Sequence, residues 1–257
     1  MQFITYAVED YVAVIKLNKP PANALSSHVL QELSSILDGL LTDIDVRVIV
    51  IQGEGRFFSA GADIKEFTTI TSAGDFSKLA ANGQELFERI EQYPKPIIAC
   101  IHGAALGGGL ELAMACHIRY VSENAKLGLP ELQLGLVPGF AGTQRLPRYV
   151  GFAKAAEMLF TSDPISGKEA VQVGLANSAY KEDELSEAVM ELAKKMAKKS
   201  PLALRKAIEL LNYTKHERYY QGVQKEADAF GDIFVSTDAK EGISAFIEKR
   251  QPQFTGK

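Results

Sequence analysis

With 257 residues the chain can bury a substantial core, as one large domain or one domain with an appendage. A hydrophobic content of 46% and a charged content of 23% describe a globular protein in water, and 28 basic against 32 acidic residues give a net charge of −4. That balance argues against nucleic acid as the main partner, and no 18-residue apolar run argues for a membrane span.

The first residues, Phe3 to Val8 and Tyr11 to Leu17, are apolar, β-branched and aromatic runs separated by Glu9-Asp10, the pattern of a hairpin. Lys19-Pro20-Pro21 stops the second strand. Ser26 or Ser27 then caps a helix that carries Val29, Leu30, Leu33, Ile36, Leu37, Leu40 and Leu41 at helical spacing. Val46 to Ile51 is a strand buried on both faces by composition, ending at Gly53-Glu54-Gly55. In the following loop, Ser59-Ala60-Gly61-Ala62 precedes a short helix at Ile64, so the Ala62 amide is free to face a cavity or simply to form a tight turn. A long helix is expected from about Phe76 to Tyr93, where Pro94-Lys95-Pro96 breaks it, and Ile97 to Ile101 is a further buried strand.

That strand delivers the chain to Gly107, Gly108 and Gly109. Three glycines at a helix start cost up to about 1 kcal/mol each against alanine, which calls for a use of bare backbone. Amides without side chains approach a ligand closely, at the positive end of the helix dipole. No Gly-Lys-Ser/Thr follows and no G-x-G-x-x-G is present, so this is not a nucleotide phosphate loop. Glu111 is the only charge in the apolar run Leu106 to Cys116, and desolvation there raises a carboxyl pKa toward neutrality. A second acid, Glu131, follows Gly128-Leu129-Pro130, where a strand or loop is expected to return toward the first. Two acids in apolar surroundings beside open amides are tools for proton transfer.

Beyond Glu131 the stretch Leu134 to Gly151 is rich in glycine and proline and then turns helical. After Ser166, with Glu169 as its capping-box partner, the chain is expected to be almost wholly helical, with Ser200-Pro201 starting one helix and Asp238 with Glu241 starting the last, whose Ile243, Phe246 and Ile247 share a face. Lys194, Lys195, Lys198 and Lys199 form a basic run that reads as a solvated face. Cys100 and Cys116 read as reduced core residues, and His28, His102, His117 and His216 are too scattered for a metal cluster. The polar start MQFITYAVED shows no signal-peptide pattern, so the expected compartment is the cytoplasm, or an organelle after processing.

Four segments then carry a resemblance: NKPPANALSS (Asn18 to Ser27), FFSAGADIKEF (Phe57 to Phe67), KPIIACIHGAALGGGLELAMACHIRY (Lys95 to Tyr120) and LGLPELQLGLVPGFAGTQRLPR (Leu127 to Arg148). In these motifs and their order the chain resembles the enoyl-CoA hydratase/isomerase (crotonase) superfamily along its whole length. The resemblance implies an α/β fold, a spiral of repeated ββα units over residues 1–195, and a helical C-terminal trimerisation region over 196–257. It implies a homotrimer or a dimer of trimers. By position, the amides of Ala62 and Gly108 match the oxyanion hole for an acyl-CoA thioester, and Ala60, Ala62, Asp63, Ile64 and Lys65 border the CoA. Phe230 and Lys249 match positions that close over it. Glu111 and Glu131 match the paired acids of the hydratases, whereas isomerases generally lose the first. The implied reaction is reversible addition of water to a trans-2-enoyl-CoA, with no metal or redox cofactor, no nucleic acid and no membrane. Alternatives on the same frame are an enoyl-CoA isomerase or a hydratase for a specialised acyl-CoA, and, in another class, an RNA-binding relative. Leu129, where many hydratases have glutamine, and Phe140, where a smaller residue is common, are departures placed near the acyl pocket.

Overall fold

The chain opens with the expected hairpin, its turn one residue later than the Glu9-Asp10 break. Strand β1 (Ile4–Glu9) pairs antiparallel with β2 (Val12–Leu17) from Ile4↔Leu17 to Glu9↔Val12. The two turn residues, Asp10 and Tyr11, both have positive φ, 50° and 63°, the conformation that matches strand twist in a two-residue hairpin. The computed structural model describes residues 2–67, 73–214 and 237–257.

From β2 onward the main sheet is parallel. Its six strands run in the order β1, β2, β3 (Val48–Gly53), β4 (Ile97–Ile101), β6 (Ile118–Ser122) and β9 (Ser178–Tyr180). A second sheet holds β5 (Ala104–Leu106), β7 (Lys126–Gly128) and β8 (Ile165–Ser166), in that order. The helices in chain order are α1 (Ser27–Thr42), α2 (Ile64–Phe67), α3 (Ala73–Glu91), α4 (Gly108–Ala115), α5 (Gly142–Thr161), α6 (Gly167–Gln172), α7 (Glu182–Ala197), α8 (Pro201–Tyr213) and α9 (Thr237–Glu248). A 3₁₀ helix (Pro130–Leu134) lies between β7 and α5. Two successive turns, β4-β5-α4 and β6-β7-3₁₀, each add one strand to both sheets and then a helix, which is the ββα repeat.

Period-two alternation explains why the parallel strands read as continuous apolar runs. Ala13, Ile15, Leu17, Ile49, Ile51, Ile97, Ala99 and Ile101 belong to the larger core, with α1 and α4. The alternate residues Val12, Val48, Val50, Ile98 and Cys100 pack on Leu185, Val189, Ala193 and Ala197 of α7. Helix α7 thus covers the back of the sheet and ends at Ala197.

Several local expectations change. Ser26 is the N-cap of α1 but makes no side-chain cap bond; the Glu66 carboxylate accepts the Ser27 N–H instead, at 3.0 and 3.2 Å. The long helix starts at Ala73 and ends at Glu91. The chain after Ser166 is not wholly helical: β9 joins the edge of the main sheet, pairing Tyr120↔Ser178 to Ser122↔Tyr180. Three residues are too few to show an alternating pattern in sequence. Ser166 and Ser200 cap as expected, accepting the amides of Glu169 and Ala203. Asp238 is nearly fully buried and acts as a staple, taking hydrogen bonds from Ser200 Oγ (2.7 Å) and from the amides of Thr255 (2.7 Å) and Gly256 (3.0 Å). The side chains of Ile243, Phe246 and Ile247 lie outside the described residues.

Candidate active site

Helix α4 is where the site is built. All eight of its residues are buried, and the chain enters through Gly107 at φ 50°, a conformation a side chain would strain. A side chain there would also meet Glu131, because a Cβ on Gly107 would sit 2.9 Å from Glu131 Oε1. At the far end, the buried Arg119 guanidinium donates to the carbonyls of Cys116 (2.7 Å) and Ala113 (3.3 Å), and its Nε to the Leu175 carbonyl (2.7 Å). It also lies 4.2 Å from the Tyr149 ring centroid. A cation therefore holds the negative end of the helix and leaves the amide end open.

Two backbone segments come close at that open end. A Cβ on Gly108 would lie 3.2 Å from the Ala62 nitrogen, so the loop after β3 and the first turn of α4 touch through bare backbone. The crossing is held by the parallel bridges Leu25↔Ala62 and Ser59↔Ala105, and by Gly107 N–H donating to the Gly128 carbonyl at 2.9 Å. Among the described residues, neither the Ala62 nor the Gly108 N–H has an acceptor in the chain. Both line a cavity of about 350 Å³ that Glu111 and Glu131 also border.

The two carboxyls are held differently. Glu111 is 1% exposed, and its Oε1 accepts the amides of Phe140 (2.8 Å) and Gly142 (2.7 Å). Both reach one oxygen because Ala141 between them is left-handed, at φ 68°, ψ 25°, which folds the peptide into a concave pair of N–H groups. Burial pushes the Glu111 carboxyl up to about 7, with the Glu131 charge adding to it and the Gly142 and Phe140 amides opposing. Glu131, in the first turn of the 3₁₀ helix, is half-buried, and burial raises its pKa too. Its Oε2 is buried with no hydrogen-bond partner among the described residues. Burial thus lifts both carboxyls, while two loop amides at Glu111 and a backbone hydrogen bond at Glu131 pull the other way.

Apolar groups complete the walls: Leu79 and Ala80 of α3, Leu134, Leu136 and Val137 after Glu131, and Phe140. The Phe140 ring stands edge-on to Phe87 at 5.3 Å between centroids, and fills the space a side chain at Gly83 would need. Of the sequence-selected residues, Ala60, Ala62, Ile64, Gly108, Glu111 and Glu131 line the cavity. Asp63 is not in the lining, and its carboxylate takes Lys19 Nζ at 2.6 Å. Lys249 is exposed at the end of α9 with φ 55°. Phe230 and the Lys65 side chain lie outside the described residues. Leu129 is fully buried beside Gly142, behind Glu111 and outside the lining, whereas Phe140 is in it. Sequence reading missed Ala141, Gly142, Gly83, Arg145 and Glu91; the last two stand among other charges of the same helices, and nothing in the pattern sets them apart.

Comparison with known proteins follows the same geometry. The sequence profile described as Enoyl-CoA hydratase/isomerase matches residues 7–257. The chain is 60% identical over 257 residues, 100% of both chains, to a probable enoyl-CoA hydratase of Bacillus subtilis (strain 168). It is 41% identical to the crotonyl-CoA hydratase of Syntrophomonas wolfei subsp. wolfei, over 97% of this chain and 96% of that one. Among solved structures, an enoyl-CoA hydratase from Bacillus anthracis superposes with a TM-score of 0.95 at 37% identity, over 100% of each chain.

Proposed function

The chain belongs to the enoyl-CoA hydratase/isomerase family and is an enzyme of the hydratase kind, and from that premise we propose how its own residues carry the reaction. The thioester oxygen of a trans-2-enoyl-CoA accepts from the amides of Ala62 and Gly108. Charge moves onto that oxygen as the β-carbon is attacked, and one preorganised donor to such a charge is worth about 3 to 4 kcal/mol. Glu111, ionised, takes a proton from the attacking water. Glu131, protonated, gives its proton to the α-carbon, leaving a 3-hydroxyacyl-CoA; dehydration exchanges the roles. The thioester polarises the alkene itself, so the reading needs no metal or redox group.

The observation that supports this most is that one cavity is bordered by two unspent amides and two unlike carboxyls. Retention of both acids favours hydration over isomerisation. Ala60 and Ile64, at the cavity edge beside Ala62, are the residues here that would border the CoA arm. Residues 196–257 would supply contacts to further copies in a homotrimer or a dimer of trimers, and the same reading places the enzyme in the cytoplasm. Among the described residues no helix is long and apolar enough to cross a membrane.

The test is crotonyl-CoA. Hydration predicts loss of the conjugated enoyl-thioester absorbance and formation of 3-hydroxybutyryl-CoA. A 2-enoyl signal that stands while a 3-enoyl thioester is converted would assign the chain to isomerisation instead.

A further inference from the structure

The carboxylate of Glu111 is held by a loop that is itself held from behind. Residue 140 is gripped through both of its backbone polar groups: its N–H donates to Glu111 Oε1 at 2.8 Å, and its carbonyl accepts Arg145 Nη1 at 2.6 Å. Arg145 lies in the first turns of α5 and is 2% exposed, so its charge has left water. Its counter-ion is Glu91, the last residue of α3, 4% exposed, with Oε2 3.1 Å from Arg145 Nη2. Burying an ion pair is not a cheap way to gain stability, since an apolar pair of similar volume often does as well. Here the pair runs in one line from α3, through a guanidinium, to the peptide that clamps the base.

We propose that Arg145, braced by Glu91, is a positioning residue for the hydration reaction: it fixes the backbone of Phe140, and so sets both the place and the basicity of the Glu111 carboxylate. This inference rests on the functional reading above.

Among the described residues, further charged groups surround the device. Glu131 faces Glu111 from the 3₁₀ helix and Arg145 faces it from α5, the first raising its proton affinity and the second lowering it. Glu88 and Glu91 of α3 face Arg145, at 3.9 and 3.1 Å. Arg148 of α5 stands 3.8 Å from Glu91 Oε1. Removing the Arg145 charge therefore raises the proton affinity of Glu111. Neutralising Glu91 leaves the guanidinium less compensated and lowers it.

The experiment is the pH dependence of crotonyl-CoA hydration by the full chain. Wild type loses kcat as pH falls and Glu111 takes up a proton. Arg145→Met is expected to lower kcat by about 10-fold, with KM within about twofold, because a displaced base costs turnover more than binding. Its acid limb moves to higher pH by about half to one pH unit. Arg145→Lys restores the charge but cannot bridge two acceptors in one plane, so the limb returns and only part of kcat does. Glu91→Gln moves the limb to lower pH. A folded Arg145→Met enzyme whose limb stays in place, or whose KM rises at constant kcat, overturns the proposal. If that variant does not fold, a Glu91→Gln limb shifted downward supports the proposal and an unshifted one overturns it. A wild type that does not hydrate overturns the functional reading and this inference together, whereas an active wild type with unmoved variants overturns this inference alone.

Discussion

Glu111 concentrates the chemistry in one side chain, and its stability cost and its use have the same origin. Burial raises its pKa from 4.5 to about 7, so the fold prefers the protonated form. The stability this gives is present in full below the unfolded value near 4.5 and is lost as pH rises through about 7, by about 3 kcal/mol in all. Glu111→Gln, an isostere of the neutral acid, is therefore expected to raise stability at pH 8 by about 1 to 3 kcal/mol while lowering turnover at least about 100-fold. Thermal melts at pH 5 and pH 8 beside single-turnover rates check both arms, and a variant destabilised more at pH 8 than at pH 5 would contradict the assignment. The raised pKa was legible in the sequence, since Glu111 is the one charge in an apolar run. The clamp was not. Phe140 and Gly142 reach Glu111 across 29 and 31 residues, through an alanine whose left-handed φ nothing in the sequence announces.

At the scale of elements, helix α4 explains how short segments are kept exact. It has only eight residues, too few to be stable alone, and both ends are tied to other parts of the chain. Gly107 N–H is given to β7, and the last carbonyls are given to Arg119. Arg119→Met is expected to cost about 3 kcal/mol, because it takes the guanidinium from the Cys116 and Leu175 carbonyls, leaves Ala113 with the Cys116 N–H alone, and removes the cation from the Tyr149 face. Chemical denaturation measures that cost, and a loss below about 1 kcal/mol would show that water or rearranged backbone replaces the guanidinium. Long periodic elements such as α1 and β4 were readable because apolar spacing alone defines them. The three-residue β9 was not, since its limits depend on its pairing with β6.

For the whole molecule, the sheets do the positioning. Parallel strands stacked in the order of the chain bring the loop after β3, the start of α4 and the 3₁₀ helix to one cavity, although Ala62 and Glu131 are far apart in sequence. The motif segments made these meeting points legible, while the pairing of β5 with β7 that brings Gly107 to Gly128 was not. Phe152 and Phe160 of α5 remain 81% and 74% exposed in the single chain, which suits contact with further copies. Sedimentation equilibrium is expected to give three or six times 28.0 kDa, and a monomer at working concentration would contradict the proposed assembly. The account as a whole depends on where a thioester sits. A crystal structure with a saturated acyl-CoA, which cannot be hydrated, tests this most directly. Its thioester oxygen should lie about 3 Å from both the Ala62 and Gly108 nitrogens, with the Glu111 and Glu131 carboxyls across the α- and β-carbons. A thioester bound away from those two amides, or with either carboxyl turned out of the cavity, would contradict it.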